Sequence, residues 1–96
     1  MGDDTAQRLE MLLVMQWLDE GAVEEGEVAL SVPTAAAELG LEEGRGGLLG
    51  VMAALGELEE RRVVAVAWPT GPGGREARVT LSADLRRDAR RLFGRP

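Results

Sequence analysis

The stretch "VVAVAWPTGPGGREARVTLS" (63–82) constrains the fold more than any other part of the chain. Two runs of strand-type residues flank "PTGPGG" (69–74), a hexapeptide of turn formers. This predicts a β-hairpin with a loose tip over 63–81. Apart from one short strand, the remaining apolar segments have helical period. The chain therefore reads as α+β and mostly helical, and its 96 residues suit one small domain, 1–96.

Residues 5–20 predict the first helix. Asp3, Asp4 or Thr5 can cap it, and Gly21 stops it. Leu9, Leu13 and Trp17 form one stripe at i, i+4, i+8. Met11, Met15 and Leu18 form a second, with Val14 between them. A surface helix in a small domain needs one such face. The second must meet another element of this chain or another chain. In "GAVEEGEVALS" (21–31), Val28 and Leu30 alternate with small or polar residues, which suits a strand over 27–31. Ser31 then caps a helix over 32–40, with Pro33 in its first turn and Gly40 at its end. A third helix over 46–62 places Val51, Leu55, Leu58 and Arg62 on one side, joined by Leu48. A last helix over 83–93 starts after Ser82. Leu85, Ala89, Leu92 and Phe93 form its apolar side, and Arg86, Arg87, Arg90 and Arg91 lie outside it.

The residue types that are missing exclude whole classes of chemistry. Cys, His, Tyr, Asn and Lys are all absent. That removes thiol and imidazole metal ligands, His-assisted nucleophiles, Schiff-base lysines and a phosphate-loop lysine. Carboxylates remain, with Ser31, Ser82 and four threonines as hydroxyls. The expectation is a non-enzyme with no cofactor and no metal site. The acidic group Asp19, Glu20, Glu24, Glu25 and Glu27 lacks the spacing of a calcium loop and reads as a solvated segment. Without cysteine there is no disulfide to mark the compartment. The start "MGDDTAQ" lacks the basic residues of a signal peptide and the myristoylation pattern, and "MLLVMQWL" is far short of a membrane span. These features predict a soluble, cytoplasmic protein without a membrane partner.

The net charge of −6 is unevenly spread. Residues 1–60 carry Arg8 and Arg45 against fourteen acids; residues 61–96 carry nine arginines against Glu76, Asp84 and Asp88. The plain reading is a solvated acidic surface with one basic face. The sharper one is a dipole that orients the protein on a partner.

Helix, short strand, helix, helix, hairpin is the order of elements in the winged helix-turn-helix family, and the wording of two segments agrees. "SVPTAAAELGL" (31–41) resembles the family's second helix and turn, with Ala36 at the close helix contact, Leu39 inward and Gly40 in the turn. "LEERRVV" (58–64) resembles the end of its third helix running into the hairpin. The resemblance covers residues 5–81. One departure stands out: Leu41 and Leu58 lie about five residues further apart than in the family pattern. The surplus is "EEGRG" (42–46), a lengthened turn, or else an extra turn of the third helix, so the start of that helix stays open.

What the resemblance implies is DNA binding, with the third helix in the major groove. That helix then needs outward donors and acceptors. With Val51 inward, steps of 100° put Gly46, Leu49, Gly50, Met52, Ala53, Gly56, Glu57 and Glu60 outward. The only polar members are glutamates, whose sign is wrong for phosphate. Nor is the stretch a phosphate loop: its glycines, Gly44, Gly46, Gly47 and Gly50, miss the G-x-G-x-x-G spacing, and Glu42 and Glu43 precede them.

An apolar outward helix instead suits another protein. The first expectation is therefore a protein-interaction or dimerisation module, an adaptor or regulatory subunit, that uses Met11, Met15, Leu18, Leu49, Met52 and Ala53. Winged helices that have lost a DNA-reading surface are similar in this respect. The alternative is a dimeric transcriptional regulator that contacts DNA through Arg45, Arg75, Arg78, Arg86, Arg87, Arg90 and Arg91, with Arg95 beyond them. The plainer role for those arginines is ion pairing or solvation. Trp68 could stack on a base, though a hairpin tryptophan more often packs on its neighbours. The Met11/Met15/Leu18 stripe matches Leu85/Ala89/Leu92 in spacing, so the first and last helices either cover each other within one chain or pair between chains.

Overall fold

The computed structural model describes residues 2–21, 25–41, 44–68 and 76–93, with side chains from Thr5 onward. Within them the order is α1 (Gly2–Asp19), β1 (Glu27–Ser31), α2 (Val32–Glu38), α3 (Arg45–Glu60), β2 (Val64–Ala67), β3 (Glu76–Leu81) and α4 (Ala83–Phe93). The architecture is α+β and mostly helical, with a small antiparallel sheet in the order β1-β3-β2.

Alternation sets the sheet's inner face. Ala77, Val79 and Leu81 of β3 are buried, as are Val28 and Leu30 of β1 and Val64 of β2. Val79 lies opposite Val28 on one side and Val66 on the other. The helices supply the rest of the core: Leu9, Leu13 and Trp17 from α1, Ala35 and Ala36 from α2, and Val51, Leu55 and Leu58 from α3. Each fully buried leucine contributes roughly 1.5–3 kcal/mol by leaving water. The small Ala35 and Ala36 let α2 approach closely.

β1 and β2 are the outer strands of this sheet, and a helix side chain reaches each. Gln16 of α1 donates from Nε2 to the Ala29 carbonyl at 2.6 Å. The Glu59 carboxylate of α3 accepts from the Val66 N–H at 3.0 Å. Open strand edges invite pairing with other chains, and both bonds occupy part of that template.

Helix ends follow local chemistry, with some differences from the sequence expectation. α1 begins at Gly2 rather than at residue 5. α2 ends in a double reverse bond: Leu41 N–H donates to Ala36 O at 2.9 Å and Gly40 N–H to Ala37 O at 3.0 Å, with Gly40 at φ +72°. α3 ends in the same way, but with arginine in the glycine's place. Val63 N–H donates to Leu58 O, Arg62 N–H donates to Glu59 O, and Arg62 has φ +62°. Arg62 therefore does not share the buried side of α3 with Leu58; it is exposed beyond the helix. At the other end α3 starts at Arg45, with Gly44 before it at φ +85° and no side-chain cap. Arg45 and Gly46 thus belong to α3, and Glu42 and Glu43 lie outside the described residues.

Candidate interaction surfaces

α3 has two unlike faces. Gly47, Val51, Ala54, Leu55 and Leu58 are buried against α1, α2 and the sheet. Arg45, Gly46, Leu49, Met52, Ala53, Glu59 and Glu60 are exposed. Leu49 and Met52 keep 55% and 43% of their surface open to solvent, a large share for apolar side chains. Gly56 beside them would meet nothing if it carried a Cβ, so the stripe is also smooth. Gly50 lies further in: a Cβ there would stand 3.1 Å from Leu41 Cδ1. The turn after α2 covers it, a contact that a helical wheel of α3 alone does not reveal. Ala53 continues this face into a shallow groove lined by Thr5, Leu41, Gly50, Ala54 and Glu57.

α1 turns Leu9, Leu13 and Trp17 fully inward, while Met11 and Met15 stay 48% and 44% exposed. Leu18 is half-buried against the core. Met15 borders a wide groove between α1, β1 and α2, together with Leu12, Leu30, Thr34 and the acids Asp19 and Glu38. Met11 borders a second groove, between α1 and α4, described below. The exposed methionines of α1 and the outward stripe of α3 therefore line different grooves.

The arginines divide into two groups. Arg86 and Arg90 serve the fold. The Arg86 Nε donates to Leu81 O at 3.2 Å and its chain runs over Gly26, where a Cβ would come within 2.7 Å of Arg86 Cδ. Gly26 has φ +71°, so glycine is required there by both conformation and space. The Arg90 guanidinium lies 5.4 Å from the centroid of the buried Trp17 ring and fastens α4 to α1. Arg87 and Arg91 are exposed and pair within α4, at 2.9 Å to Asp84 and 3.8 Å to Asp88. Arg45 is exposed at the first turn of α3, and Arg78 is exposed on β3. Arg75 and Arg95 lie outside the described residues. Trp68, just past β2, is 37% exposed.

Asp19, Glu20, Glu25 and Glu27 are exposed; Glu24 lies outside the described residues. Among the described residues no three carboxylates stand close enough to hold a metal ion, and no helix is long and apolar enough to cross a membrane. Sequence reasoning missed the strand-capping roles of Gln16 and Glu59, whose partners are 13 and 7 residues away in the chain. No local signal marks either residue. No protein-family model, no curated protein and no solved structure matches this chain.

Proposed function

We propose that the chain is a cytoplasmic, non-catalytic winged-helix module for protein interaction, a homodimer or an adaptor subunit, which docks through the outward face of α3 and the exposed methionines of α1. The order helix, strand, helix, helix, two strands, with β1 beside β3, supports the winged-helix reading. One observation carries the functional part. The helix that reads DNA in this family exposes Leu49 and Met52 on a smooth stripe with Gly46, Ala53 and Gly56, and Glu59 and Glu60 stand beside it. Such a face offers a partner helix close approach and offers phosphates repulsion. Burying Leu49 and Met52 contributes roughly 1.5–3 kcal/mol each, whereas association costs an estimated 4–15 kcal/mol. The α3 face therefore needs a further contact, and the methionines of α1 supply one.

The second reading is a dimeric DNA-binding regulator. Arg45 on the first turn of α3 and Arg78 on β3 favour it, since both are exposed. The engagement of Arg86 and Arg90 with the fold weighs against it, because it removes two cations from the proposed backbone-tracking set. The two readings separate in a fluorescence anisotropy titration with a labelled mixed-sequence duplex of about 30 base pairs at roughly 50 mM salt, conditions generous to electrostatic binding. The interaction reading expects no binding at tens of micromolar protein. Binding that weakens steeply as salt rises overturns it in favour of DNA.

A further inference from the structure

The groove between α1 and α4 is half closed. Ala89 is buried, Leu85 is half-buried against the core, and Arg90 covers the Trp17 ring, so α4 does pack on its own chain. Yet Leu92 is 73% exposed, Phe93 45% and Met11 48%. Val14, Leu85 and Ala89 line the groove, Met11, Leu92 and Phe93 border it, and Glu10 and Asp88 complete its lining. The match between the α1 and α4 stripes is thus satisfied at one end of α4 and open at the other.

We propose that this groove receives the last turn of α4 from a second copy of the chain. An occupant must bring large apolar side chains to the groove's Val14 and Ala89, and cations to Glu10 and Asp88. The last turn of α4 carries both. Leu92 and Phe93 stand next to Arg90 and Arg91 in sequence, and Arg87 and Arg91 lie exposed on the same helix. Charge favours the same pairing at the level of whole helices. Among the described side chains α1 holds Glu10 and Asp19 against Arg8, while α4 holds four arginines against Asp84 and Asp88. The exposed pairs Arg87–Asp84 and Arg91–Asp88 are weak enough to exchange for contacts with a partner. The groove and the turn that fills it belong to the same surface, so a two-fold axis satisfies both copies at once. This identifies the partner of the α1 surface proposed above and does not depend on the α3 face.

The test is the molar mass by sedimentation velocity at tens of micromolar for the full chain and three variants, with circular dichroism to confirm folding. The wild type is expected to be a dimer that weakens as salt rises. Leu92→Asp, at a side chain largely in solvent, is expected to give a folded monomer, with the dimer dissociation constant raised at least about tenfold. Arg91→Glu is expected to weaken the dimer, and Met52→Asp distinguishes a contact through this groove from one through α3. A monomeric wild type, or a dimer unchanged by Leu92→Asp, overturns the proposal. A dimer lost with Met52→Asp but not with Leu92→Asp also overturns it, and moves the contact to α3. The duplex titration is a separate measurement, so failure here and failure of the interaction reading are distinguishable.

Discussion

α3 and α4 differ in the side chains they expose: those of α3 are largely apolar, those of α4 largely basic. The outward stripe of α3 is Leu49, Met52 and Ala53 with glycines beside them. α4 contributes Ala89 to the core and carries Arg86, Arg87, Arg90 and Arg91. Their attachment differs as well. α3 is held by five buried positions spread over its length, whereas in α4 only Ala89 is buried. A helix so well held on one side can keep an unusual other side without loss of fold. A weakly held helix depends on single contacts, so Arg86 and Arg90 have a heavier structural duty than their place on α4 suggests.

The largest effect that tests this contrast lies within α3. Leu55 is fully buried and Leu49 is not. Leu55→Ala is expected to cost roughly 2–5 kcal/mol, through lost burial and the cavity left behind. Leu49→Ala is expected to stay within about 0.5 kcal/mol, as surface changes do. Urea unfolding followed by circular dichroism reads both. Equal losses would mean that Leu49 is covered in the folded monomer, which would remove the outward apolar stripe.

The two faces of α3 were legible in the sequence because a single buried residue, Val51, fixes the phase of the whole helix. The start of α4 was legible for a local reason too: Ser82 precedes it, and its Oγ accepts the Leu85 N–H at 3.1 Å. The end of α3 was not, because left-handed backbone is signalled by glycine, and Arg62 occupies that position. Among the candidate site residues, the charges of the α4 arginines were plain but their uses were not. Arg86 reaches Leu81 O and Arg90 reaches Trp17 across the packing of α4 on the sheet and on α1, and neither partner is set by spacing within the helix.

A smaller effect separates two arginines of α4 with the same charge. Arg90 covers Trp17, while Arg87 pairs with an exposed Asp84. Arg90→Ala is expected to cost about 1 kcal/mol, mostly as lost cation–π contact and ring cover. In a Trp68→Phe background, which leaves Trp17 as the single reporter, it is also expected to shift the emission to longer wavelength. Arg87→Ala is expected to change neither stability nor emission, since exposed pairs contribute little. A red shift from Arg87→Ala, or none from Arg90→Ala, would break the division between arginines that serve the fold and those that pair only within α4.

The smallest effect sharpens the contrast at the end of α3. The reverse bonds that close α2 and α3 are alike, but Gly40 sits at the left-handed position of one and Arg62 at that of the other. A side chain in that conformation costs roughly 1–2 kcal/mol relative to right-handed backbone. Glycine removes the strain but gains freedom in the unfolded chain. Arg62→Gly is therefore expected to stabilise the protein by a net of about 0.5–1 kcal/mol. The gain would appear as a higher urea midpoint with an unchanged slope. Loss of stability instead would mean that the exposed Arg62 side chain makes a contact worth more than the backbone strain. The last turn of α3 would then be held by its side chains rather than by the burial of Leu58.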